Sequence, residues 1–160
     1  MKKPNVFVWI LLSSSLLYTL GALALTQSLM IEGYARETPP GAPMSAAYLS
    51  LHNTGKQPLQ LTAVELPGGE DGAVNLHTTE RERGVNRMRP LEKLSIAAGE
   101  KLQMMPGGIH LMIHGVRLQA GDTLPLRLLF DDGSSLEVVV PIMGRDGLEK
   151  EHHHHHGGAG

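Results

Sequence analysis

The chain has 160 residues, with 14 Lys plus Arg against 16 Asp plus Glu, and it contains no cysteine. That balance offers no basic field for nucleic acid and no acidic or basic tail. Without thiols there is no disulfide framework, no cysteine nucleophile and no thiolate ligand, so any soft-metal site must draw on the 8 methionines.

The N-terminus reads as a targeting signal. Lys2 and Lys3 precede an apolar run from Val6 to Leu25, interrupted by Ser13, Ser14 and Ser15, and Ala22-Leu23-Ala24 supplies small residues for cleavage. Residues 1–24 are expected to be a signal peptide, with an uncleaved membrane anchor as the alternative because the run is nearly long enough to span a bilayer. Either outcome is expected to place the remainder outside the cytoplasm. Loss of Lys2 and Lys3 leaves 12 basic against 16 acidic residues, a net charge of −4 with neutral histidines. Residues 25–146 are expected to form one domain, large enough to be held together by its own core. Residues 147–160, with five consecutive histidines, are expected to be a disordered tail. Its composition fits a native extension, and an expression tag is the alternative.

From Ile31 onward, short apolar stretches alternate with turn residues and no helical period is visible. The expected strands are Met30–Ala35, Ala46–His52, Pro58–Leu66, Ala73–Thr79, Val85–Leu91, Lys101–Met105, Ile109–Val116, Thr123–Phe130 and Ser135–Ile142. Turn clusters such as Asn53-Thr54-Gly55, Pro67-Gly68-Gly69, Pro106-Gly107-Gly108 and Asp131-Asp132-Gly133 separate them. Many short strands at this spacing predict an all-β, single-domain sandwich. Leu124, Leu126, Leu128 and Phe130 should face its core, as should Leu136, Val138 and Val140, and the Asp-Asp-Gly turn should join these two strands as a hairpin. The stretch Glu37–Met44 is expected to be an extended loop over the surface.

The segment Ile109-His110-Leu111-Met112-Ile113-His114 carries the chemistry. Strand alternation sends Leu111 and Ile113 to the core and leaves His110, Met112 and His114 together on the other face. Side chains at i and i+2 project about 6.5–7 Å apart at the backbone, within reach of one metal ion. The ordinary alternative is a methionine that fills a gap beside two surface histidines. Upstream, His77 points away from Val74 and Leu76, and Met88 lies between Arg87 and Arg89, an odd place for a core residue. The four would make a His₂Met₂ set whose thioethers suit Cu(I). Met104 with Leu102 is assigned to the core; Met30, Met44 and Met143 receive the same bland reading, and His52 is placed at the surface. Arg81, Arg83, Arg87 and Arg89 form a local basic patch, read first as a solvated face.

In this arrangement His77, Met88, His110 and Met112 resemble the H-x10-M-x21-H-x-M signature of the periplasmic copper chaperone family PCuA(C). Tyr34-Ala35-Arg36, Ala46-Ala47-Tyr48-Leu49, Met88-Arg89-Pro90 and Pro106-Gly107-Gly108 fall where that family has similar segments. The resemblance runs from about Leu29 to Ile142. It implies a cupredoxin-like, Greek-key β-sandwich with a partly exposed Cu(I) site. It further implies a monomer that delivers copper toward the CuA centre of cytochrome c oxidase subunit II, alone or with a Sco-type protein, and a histidine tail able to take Cu(II). His114 departs from the family pattern, and its role is left open between surface residue, alternative ligand and support for a ligand.

Other functions are weighed against this one. An electron-transfer cupredoxin would need a cysteine thiolate, which is missing. Copper storage or scavenging would share the site, and a β-sandwich module without metal would use none of it. No nucleophile–base–orienter set stands out, so an enzyme is not expected. Nucleic acid is not an expected partner, and the membrane is expected to be touched only through the signal peptide or anchor.

Overall fold

Alternation of apolar and polar side chains decides most of the architecture. The computed structural model describes residues 28–70 and 73–145; the expected signal peptide and histidine tail lie outside the described residues. Ten strands follow in chain order: β1 (Leu29–Arg36), β2 (Met44–Asn53), β3 (Leu59–Glu65), β4 (Val74–Glu82), β5 (Val85–Pro90), β6 (Leu94–Ile96), β7 (Lys101–Gln103), β8 (His110–His114), β9 (Thr123–Phe130) and β10 (Ser135–Met143). The all-β sandwich is borne out.

Hydrogen-bonded neighbours run β5-β4-β8-β2-β1-β10-β9-β3-β6, with β7 also pairing β2. The path turns a corner at β10. That strand pairs antiparallel with β9 from Ser135 to Pro141, then parallel with β1 through Ile142 and Met143. Two layers result, and their inner faces meet in one cluster. Leu49, Leu51, Leu111 and Ile113 come from one layer, and Leu61, Ile96, Leu126 and Leu128 from the other. Pro125 is tolerated in β9 because it lies beyond Glu65 and Arg127, where pairing with β3 ends and a missing N–H costs no ladder bond there.

Each of the nine expected strands is present within a few residues. The omission is β6, three residues long and too short to show a period. It is held by Asn53, a fully buried amide that donates to Gln57 O at 2.8 Å, Ile96 O at 3.2 Å and Ala97 O at 3.1 Å. One expectation needs correction. The Glu37–Met44 stretch does not simply cross the surface: Thr38 is buried, its Oγ1 accepts from Leu118 N at 2.9 Å, and Met44 already belongs to β2. His52 lies in the expected strand, half-buried and opposite Lys101, and β2 runs one residue further to Asn53.

Candidate metal centre

The inward residues of β8 set the orientation of its outward ones. Leu111 and Ile113 are completely buried in the core, which forces His110, Met112 and His114 onto the opposite face. β8 lies between β4 and β2, and its register with β4 sets His77 directly opposite His110, Leu76 opposite Leu111 and Asn75 opposite Met112. The two imidazoles lie with ring centroids 6.0 Å apart and planes 25° from parallel.

Both rings have a nitrogen that this arrangement leaves for a further partner. His110 is 5% exposed, and its Nδ1 is 2.9 Å from Gly108 O. A carbonyl oxygen can only accept, so Nδ1 carries the proton and the lone pair of the neutral ring sits on Nε2. Backbone orientation of a histidine through its second nitrogen is the usual support of a metal ligand. On His77, Nδ1 is buried with no hydrogen-bond partner. Burial holds the His77 imidazole below its usual 6.5, repulsion from His110 and His114 acts the same way, and a contact with the Asn75 backbone opposes them. The neutral, ligating form is therefore favoured.

The methionines flank this pair. Met88 on β5 stands opposite Thr79, with Pro90 opposite His77, so Met88 shares the histidines' face one diagonal step away. Its side chain is 63% exposed, free of core packing and able to swing. Met112 is half-buried on the other flank, between Asn75 of β4 and Ala46 of β2. Thus His77 and His110 are brought face to face, while Met88 and Met112 share their face from opposite sides. Among the described residues, no group of three or more His, Asp or Glu side chains is placed to hold a metal ion.

Tyr48, not singled out as a site residue in the sequence, belongs to this face. Its ring centroid is 6.5 Å from His110 and 5.3 Å from Tyr34, and its outward orientation was legible from inward Leu49 and Leu51. The arginine patch is partly neutralised: Arg89 pairs with Glu80 at 3.0 Å and with Glu82, and Arg87 lies 3.5 Å from Glu82. As exposed pairs these contribute little stability.

A sequence model of the LpqE-like family, described as "Putative lipoprotein LpqE-like", matches residues 30–142. The chain is 32% identical over 117 residues to "Putative lipoprotein Lxx21020" of Leifsonia xyli, covering 70% of this chain and 68% of that protein. It is 31% identical over 101 residues to "Uncharacterized protein RP573" of Rickettsia prowazekii, covering 61% of this chain and 55% of that protein. Among solved structures, Cu(I)-bound DR1885 from Deinococcus radiodurans matches with a TM-score of 0.58 at 27% identity, covering 72% of this chain and 78% of that one. The copper-bound PCuAC domain from PmoF2 matches at 0.59 and 16% identity, covering 73% and 93%, a likeness of fold alone.

Proposed function

This chain belongs to the LpqE-like family, and from that premise we propose that it is an exported copper-binding metallochaperone whose cargo is Cu(I), carried by His77, Met88, His110 and Met112. The observation that carries the reading is the histidine pair. One ring has a buried nitrogen without a partner, and the other is oriented by a backbone carbonyl so that its free nitrogen is the acceptor. A ring nitrogen buried without a partner, as in His77, is costly unless something completes it, and an ion shared with His110 would do so. Two flanking thioethers select a soft monovalent ion over Zn, Mg or Ca.

Likeness to the Cu(I)-bound structure of DR1885 supports a copper role. Names of relatives as lipoproteins support export with attachment at a membrane. The acceptor we propose is the CuA site of cytochrome c oxidase subunit II or a Sco-type protein. An open site suits release by ligand exchange: Met88 is exposed and can be replaced at the metal by a donor from the acceptor.

Titration of the full chain with Cu(I) against a competing chelator tests the site. Binding much tighter than that of a His77→Ala, Met88→Ala double variant is expected, and equal binding would sink the assignment. X-ray absorption should count both nitrogen and sulfur neighbours. Incubating the loaded chain with the soluble CuA domain, separating the two and assaying copper tests the delivery step.

A further inference from the structure

Met112 borders two places. On one side lies the histidine pair. On the other is a cavity of about 270 Å³ whose lining includes Met44, Met112 and Met143. The register explains why three methionines meet there. Met112 faces Ala46 across the β8–β2 pair, Met44 is two residues from Ala46 on the same face of β2, and Met143 enters from the end of β10 beside Arg36. Ala46 has only a methyl group, so the floor between the larger side chains stays low. All three methionines are half-buried and none belongs to the main hydrophobic cluster.

We infer that this cavity is a second, weaker Cu(I) station, formed by the thioethers of Met44 and Met143 and joined to the histidine centre through Met112. The inference rests on the copper reading proposed above. Thioethers bind Cu(I) without losing a proton, so a move between stations is plain ligand exchange: one sulfur–copper bond forms as another breaks, and copper stays Cu(I). The charges around the cavity make the second station the weaker. Arg36 and Arg145 line it against one carboxylate, Glu37, whose Oε1 already accepts from Arg145 N at 3.1 Å. A cation there gains little from its surroundings, which suits transit rather than storage.

Methyl-labelled methionine NMR of the full chain, titrated anaerobically with Cu(I) to several equivalents so that the histidine tail also fills, tests this directly. Expected first are shifts at Met88 and Met112, followed at higher copper by shifts at Met44 and Met143. In Met44→Leu, which conserves volume, the Met143 response should weaken because a donor is gone. A Met143 response unchanged by that substitution would mean mere structural propagation and overturn the inference. If Met88 and Met112 respond while Met44 and Met143 stay fixed throughout, the second station falls and the histidine centre stands. If only Met44 and Met143 respond, the histidine centre falls and the cavity is the site. Silence at all four methyls removes both.

Discussion

His77 and His110 stand directly opposite each other on adjacent antiparallel strands, with ring centroids 6.0 Å apart. In the proposed site each ring supplies one nitrogen, so neither can compensate for loss of the other. Changing even an indirect support of a metal ligand costs roughly 10–100-fold in affinity. His77→Ala and His110→Ala should each lower Cu(I) affinity by at least about tenfold by that standard, measured by chelator competition. A variant that competes as well as the parent removes that histidine from the ligand set.

Replacing Met112 with Leu keeps the volume and loses the sulfur. Stability should fall by less than about 1.5 kcal/mol while Cu(I) affinity drops. Met88→Leu, at an exposed position, should be within about 0.5 kcal/mol of the parent in stability with a comparable loss of affinity. Denaturant melts beside copper competition separate the two effects, and undiminished binding would exclude the residue.

The pH dependence of the metal-free domain follows from His77. Its folded-state pKa is depressed, while the unfolded chain titrates at the ordinary 6.5. Below 6.5 the unfolded state takes the proton that the folded state refuses, so this contribution is complete above that pH and is lost as pH falls toward the folded value. As pH falls below 6.5 the parent should therefore lose stability more steeply than His77→Gln. Parallel pH profiles would refute it. Proton competition for Cu(I) at His77 should likewise begin below 6.5.

Gly33 on β1 is packed so closely that an added Cβ would lie 2.4 Å from Tyr48 O and 2.7 Å from Leu49 Cδ2. Relief of the backbone contact must displace β2 at Tyr48, the residue against His110. Gly33→Ala should cost about 1–3 kcal/mol and also weaken Cu(I) binding. Thermal melts and copper competition on the same sample would show whether both change.

The β4–β5 turn places Arg83 at φ 50° and Gly84 at φ 84°. Two positive φ values in a two-residue hairpin loop favour Asn-Gly, whereas arginine is strained there. Arg83→Asn should raise stability by up to about 1 kcal/mol and leave copper binding unchanged. An unchanged or lower melting temperature would contradict this.

Much of this protein was legible along the chain because strand alternation is a local property. Inward Leu111 and Ile113 are enough to turn His110 and Met112 outward, and the absence of cysteine restricts soft donors to methionine. Three residues of β6 were too few to carry a period, and buried Thr38 sits in a segment whose composition suggests only a loop.

What the linear order by itself determined was therefore every strand but β6, the layered class and the kinds of donor available. The tertiary structure alone decided who stands beside whom. Pairing of β4 with β8 brings His77 onto His110, the corner in β10 carries Met143 toward Met44 and Met112, and Tyr48 closes over the histidine from β2. The physical reason is that side-chain direction follows from neighbouring φ and ψ, whereas register between distant strands is chosen by the fit of the whole core.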